Sequence, residues 1–213
     1  MSPIPKSGID STRWLASALA RAAVASWVVV AAAPAAAGVF TIERGPRELF
    51  LMVGVGSAAA NNATINTVSV TVPLGSVGSG AAQTMTSDST QSSSPHNNYA
   101  VCNPPAQVYI GGSYRAPNAS VGAGSALLQV TTPADLTSGA NTIPFSEISW
   151  TSTANGDATA DIPAGTFIGG TQVLTNIQRN RFVENCFTYV YANTVVAPAG
   201  TFTGRAVFTL TVP

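Results

Sequence analysis

Arg205-Ala206-Val207-Phe208-Thr209-Leu210-Thr211-Val212 decides the fold class, because Ala206, Phe208, Leu210 and Val212 fall at every second position. Successive side chains of a strand point to opposite faces, so this alternation reads as a half-buried strand. Thr67-Val68-Ser69-Val70-Thr71-Val72 and Phe187-Thr188-Tyr189-Val190-Tyr191 repeat it. Further strand candidates are 47–55, 107–111, 125–131, 146–151 and 171–177. Pro104-Pro105, Gly111-Gly112 and Ser138-Gly139-Ala140-Asn141 read as the punctuation between them. About eight short strands with such turns predict an all-β protein, an antiparallel sandwich or barrel. The sandwich is the reading taken.

The N-terminal residues follow a different pattern. Lys6, Arg13 and Arg21 precede an uncharged, mostly apolar run from Ala22 to Ala33, and Pro34-Ala35-Ala36-Ala37-Gly38 comes next. That is the layout of a secretory signal peptide, with Ala35 and Ala37 as the small residues read at cleavage. The run is shorter than the roughly 20 apolar residues of a membrane span. Residues 1–37 are therefore read as a removed signal, and 38–213 as one β-sandwich domain working outside the cytoplasm, in the periplasm, at the cell surface or secreted. Membrane contact is expected only during export.

Composition narrows the partners. Charged residues make up 8% of the chain, against roughly 25% in ordinary globular proteins. Beyond Ala37 there is no lysine, and six arginines face eight acids for a net charge of −2. Without a basic patch to meet phosphates, nucleic acid is excluded as an expected partner. Cys102 and Cys186 are the two cysteines, and an even count in an exported chain predicts one disulfide. With His96 the lone histidine, they make a poor metal ligand set.

Between Gly75 and Asn98 the chain is dominated by Ser, Gly, Thr, Gln and Asn. A polar stretch of this length predicts a mobile surface excursion, with His96 facing solvent near its end. A heptad, Pro163-Ala164-Gly165-Thr166-Phe167-Ile168-Gly169, returns as Pro198-Ala199-Gly200-Thr201-Phe202-Thr203-Gly204. It reads as one turn used twice: Pro sets φ, Gly takes a positive-φ corner, and Phe turns inward.

The chain offers little for catalysis. One histidine in a polar loop is a poor basis for a Ser-His-Asp site, and no Gly-x-Ser-x-Gly elbow is present. Glu147, Asp157, Asp161 and Glu184 are the acids available for glycoside hydrolysis, but no spacing sets two of them face to face. Asn155-Gly156-Asp157 with Asp161 lacks the alternating acids and closing Glu of a calcium loop. Asn62-Ala63-Thr64 and Asn118-Ala119-Ser120 match the glycosylation pattern. Neither an enzyme, nor a cofactor, nor a metal is expected.

Tyr189-Val190-Tyr191-Ala192-Asn193 leading into Pro198–Pro213, after a signal peptide and an all-β body, resembles the ending of bacterial spore-coat-U-like secreted proteins, relatives of chaperone–usher pilins. The resemblance implies an immunoglobulin-like sandwich lacking one strand, which a periplasmic chaperone and then the next subunit supply. Leu49, Leu51, Val53 and Val55 alternate on one face of 47–55, as a donor strand's residues would. Val207, Phe208, Leu210 and Val212 would form the edge strand beside the acceptor groove. A single sequence leaves open whether 47–55 is exchanged or internal. The expected function is a pilin-like or coat-like structural subunit that associates with copies of itself by β-strand addition. The competing expectation is a monomeric binding module whose loops 75–98 and 153–161 grip carbohydrate or protein, with Tyr99, Tyr109 and Tyr114 as available rings.

Overall fold

A computed structural model describes residues 40–56, 66–96, 98–117, 124–155 and 157–212. The signal segment and both glycosylation motifs lie outside the described residues. Among the described residues fourteen strands run in order: β1 (Phe40–Thr41), β2 (Glu48–Val53), β3 (Val68–Ser69), β4 (Gln83–Thr84), β5 (Thr86–Ser87), β6 (Val108–Arg115), β7 (Ser125–Thr132), β8 (Asp135–Ser138), β9 (Asn141–Pro144), β10 (Ile148–Ser152), β11 (Gly165–Thr166), β12 (Gly170–Gln178), β13 (Arg181–Tyr191) and β14 (Val207–Thr211). Among the described residues the helical turns are two short 3-10 segments, Leu74–Ser76 and Phe145–Glu147. The protein is all-β and its ladders are antiparallel.

The larger sheet has seven strands in the order β11-β10-β13-β6-β2, with β1 and β4 also pairing β13. β13 is its spine. Its first half pairs with β6, Arg181 to Cys186 against Tyr114 to Tyr109, and its second half with β10. The smaller sheet is β12-β7-β14. Val108 and Ile110 of β6, Trp150 of β10, and Phe187, Tyr189 and Tyr191 of β13 share one buried apolar cluster with Leu128 and Val130 of β7 and Leu174 and Ile177 of β12. Within it the Trp150 ring lies 4.8 Å from Phe167 and 5.5 Å from Phe187. The indole N–H donates to Pro163 O at 2.9 Å, so the one polar atom of that ring is satisfied.

β13 is covered on both faces. Val183, Phe187 and Tyr189 enter the cluster between the sheets, while Cys186 joins Met52, Tyr109 and Cys102 in a second cluster on the outer face. Strands buried on both sides lose the polar-out alternation. That is why 187–191 reads as a strand from sequence and its continuation through Glu184 and Asn185 does not. The run 67–72 shortens to the two residues of β3, which pair with β5.

Gly111-Gly112 corrects the reading of punctuation, since both lie inside β6. A Cβ on Gly111 would sit 2.3 Å from the Tyr109 hydroxyl, and one on Gly112 would sit 3.1 Å from Ile177 Cδ1 and 3.2 Å from Phe50 O. These glycines are spaces for close neighbours, a known use of glycine within strands.

The repeated heptad also departs from expectation. Phe167 is buried and Phe202 half-buried against the same cluster. The first copy builds β11 on β10, however, while the second bridges Thr203 to Thr137 of β8. Among its glycines only Gly169 has positive φ, at 69°. Gly165 is needed instead because the Trp150 ring lies over it, and Gly200 because Ser138 Oγ does.

Candidate functional site

Two strand edges meet along one side of the molecule. β2 ends the larger sheet and pairs β6 of its own chain, Leu49 opposite Tyr114, Leu51 opposite Gly112 and Val53 opposite Ile110. β14 ends the smaller sheet, with Phe208 opposite Val130 and Leu210 opposite Leu128. Leu51 and Val53 from one edge, and Phe208 and Leu210 from the other, are half-buried against the same core. Leu49 and Val207 are more open, 40% and 45% exposed. Val55 lies just past β2, where its N–H donates to Asn66 Oδ1 at 2.9 Å. Val212 packs with Tyr114, Ala116 and Ala126. The structure thus brings the two residue sets singled out in the sequence to one seam.

The edges of the smaller sheet are not equivalent. β12 carries a register irregularity between Val173 and Thr175 and starts from Gly169 and Gly170, both at positive φ. Bulges of this kind twist an edge away from further pairing. β14 is regular, uncharged and free of proline, and among the described residues it pairs only β7. Its outward N–H and C=O groups form a ready pairing template.

The polar segment 75–98 is a further correction. It contains β4, which pairs β13, and β5, which pairs β3, and its first residues are fastened to the extension of β13. Asn193, fully buried at φ 58°, accepts from Gly78 N at 3.0 Å and donates to Ser76 O at 2.8 Å, while its own carbonyl accepts from Gly80 N. Asn185, also buried, anchors the 153–162 loop by donating to Thr153 O and accepting from Ile162 N. Two buried asparagines of β13 and its extension therefore bind loop backbone that would otherwise lie unsatisfied, and each sits far from its loop in sequence.

Glu184 is the third anchor. Its side chain is fully buried on the outer face of β13, opposite Gly111 of β6. Tyr109 donates to Oε2 at 2.8 Å and Tyr99 donates to Oε1. A buried carboxylate is costly unless hydrogen-bonded, and two phenol donors meet that need. Burial, and then the charge of Glu184, push the Tyr109 hydroxyl far above the ordinary phenol range. Gly111 leaves the room that lets this phenol reach the carboxylate.

Residues 92–96 and 98–103 lie across this face as a strap. Its end is the Cys102–Cys186 disulfide, Cα atoms 5.6 Å apart, which forms as the cysteine count predicts. Joining positions 84 residues apart contributes about 4.5 kcal/mol through loop-closure entropy. Both cysteines are buried, which points to folding in an oxidising environment. His96 is exposed but not idle: its ring packs edge-on against Phe182 at 4.2 Å and Phe50 at 5.7 Å. Burial holds its pKa below the ordinary value, opposed by the Glu184 charge.

The other candidates disperse. Tyr109 and Tyr114 are fully buried and Tyr99 is engaged with Glu184, so none of the three is an open ring at a loop tip. Glu147 accepts from Thr194 N at 2.8 Å and from the Thr194 hydroxyl. Asp161 is half-buried, its carboxyl raised by burial and by the neighbouring charge of Asp157. Among the described residues no three His, Cys, Asp or Glu side chains gather to hold a metal. Comparison with family models, curated proteins and solved structures finds no match.

Proposed function

We propose that the chain is an exported structural protein, an immunoglobulin-like sandwich that assembles with further copies at or beyond the cell surface through the open edge at β14. The observation that carries this reading is the unguarded edge itself. Val207–Thr211 has no bulge, charge or proline, whereas β12 at the opposite edge is bulged. A strand laid along β14 would take up its free backbone groups and cover Phe208, Leu210, Leu51 and Val53. The scarcity of charge suits close packing of identical copies, because it removes like-charge repulsion between them. The buried disulfide supports export, and the resemblance of the C-terminal residues to pilin-like subunits adds a periplasmic chaperone as a transient partner.

Light scattering on the chain produced in an oxidising periplasm tests the proposal. The expected result is a concentration-dependent series of multimers that collapses to monomer in Thr209→Pro, with the circular dichroism of the monomer unchanged. A wild-type monomer at all concentrations rejects assembly, and multimers that persist in Thr209→Pro move the interface away from β14.

A further inference from the structure

We infer that the strap formed by residues 92–96 and 98–103 is a lid locked by oxidation: the two sheets hold their fold with free thiols, and closing Cys102–Cys186 fixes the lid over the outer face. The strap is a self-contained unit. Ser93 bridges Ala100, Val101 N and Cys102 N both donate to Ser92 O at 2.8 and 3.1 Å, and Ser94 N donates to Tyr99 O at 3.0 Å. Its ties to the sheet include the disulfide, the Tyr99 phenol on Glu184, Val101 O lying 3.2 Å from Cys186 Sγ, and Val101 and His96 packing on the surface beneath. Apart from Ser94 and Cys102 the strap residues are exposed or half-buried, and segments of that kind, rich in internal bonds, open as local units below the global unfolding energy.

Cys186, by contrast, needs no bond to find its place. It lies in mid-β13, opposite Tyr109, where the ladder to β6 ends and that to β10 begins at Phe187. The sheet thus presents one thiol in fixed position, and the strap delivers the other. Two thiols lose two protons and two electrons to a disulfide of an oxidising protein in the exporting compartment, which leaves as a dithiol. Before that exchange the open lid leaves Phe50, Met52, Tyr109 and Phe182 as an apolar surface around Glu184. After it, Cys186 is fully buried and Cys102 nearly so, which bars external thiolates until the lid lifts. The device has two states, an apolar outer face before oxidation and a sealed one afterwards.

The test is alkylation of Cys186 by iodoacetamide in the Cys102→Ala chain, alongside hydrogen exchange read by mass spectrometry. The expected result is alkylation about 100-fold or more faster than β13 exchange in the same chain, with β6, β7 and β13 still its most protected strands. Alkylation no faster than β13 exchange would mean that the lid stays shut without the bond. β13 amides exchanging as fast as those of the strap would mean that the bond holds the entire fold. Either outcome overturns the inference. A second chain, Tyr99→Phe with the disulfide intact, should keep strap exchange within about tenfold of wild type. Exchange as fast as in Cys102→Ala would make the phenol the lock, and would overturn the inference equally.

Discussion

The two sheets turn opposite outer faces to their surroundings. On the larger sheet Phe50, Met52, Tyr109, Phe182, Glu184 and Cys186 are covered by a disulfide-tied strap. On the smaller sheet the outward rows are Thr171-Thr131-Val207, Val173-Gln129-Thr209 and Asn176-Leu127-Thr211, with no charge and no strap among the described residues. Thr131 and Thr171 satisfy each other there through a hydroxyl pair at 2.8 Å. Large apolar side chains demand a cover, and a cover demands anchors. A face on which threonines and amides outnumber the apolar Leu127, Val173 and Val207 tolerates water and needs neither. A chain with few charges therefore keeps one face sealed and leaves the other, with its β14 edge, open.

Breaking the sealed face should have the largest effect. Glu184→Ala strands the buried phenol of Tyr109 and releases that of Tyr99, and should lower unfolding free energy by about 2–5 kcal/mol in a denaturant titration. A loss under about 1 kcal/mol would show that the carboxylate is not the anchor described. Gly111→Ala attacks the same point from the backbone side, forcing the Tyr109 phenol away, and should cost about 1–3 kcal/mol. Because both variants act on one contact, the double variant should cost less than their sum. Asn193→Ala removes the anchor of the 74–81 segment and should cost about 1–3 kcal/mol. Hydrogen exchange should rise first at 76–81 and not in the strap.

The open face should respond in the reverse sense. Thr209→Lys should shift monomer stability by no more than about 0.5 kcal/mol, yet abolish the multimers that the proposed assembly predicts in light scattering. A large stability loss would place Thr209 in a packed environment and blur the contrast between the faces.

The smallest effect concerns Asp161. Its folded carboxyl is raised above 3.8 by burial and by Asp157, so the folded chain holds that proton more tightly than the unfolded one. The stability this confers is complete below pH about 3.8 and is lost as pH rises through the raised value. Asp161→Asn should therefore melt roughly 1–2 °C higher than wild type near pH 7 and no higher near pH 3. An equal gain at both pH values would rule out the charge as its cause.

Legibility in the sequence followed covering. β7, β12 and β14, each with one bare face, show their alternation plainly, and the strand runs predicted there agree with the structure to within about two residues. β13 and β6 are covered on both sides, so Glu184, Asn185 and the Gly111-Gly112 pair broke the pattern and were unreadable as strand interior. The seam was half legible: both residue sets stand out by period, but nothing local says that they meet. The loop anchors were invisible for the same reason. Asn193 lies 115 residues from Gly78 and Glu184 lies 85 from Tyr99, and no short-range rule links such positions. The pairing of Cys102 with Cys186 was readable because the choice was between one bond and none.

The placement of Glu184, Asn185 and Asn193 also sets a timetable. A chain delivered N-terminus first presents the 75–98 and 153–162 segments, Cys102 included, well before the strand that fastens them. Until residues 181–193 arrive, both segments lack the buried side chains of 181–193 that fasten them, and β6 lacks its central neighbour. Such late, long-range closure slows folding. Here it leaves the preceding polypeptide threadable until residues 181–193 emerge, and that stretch commits the segments before it.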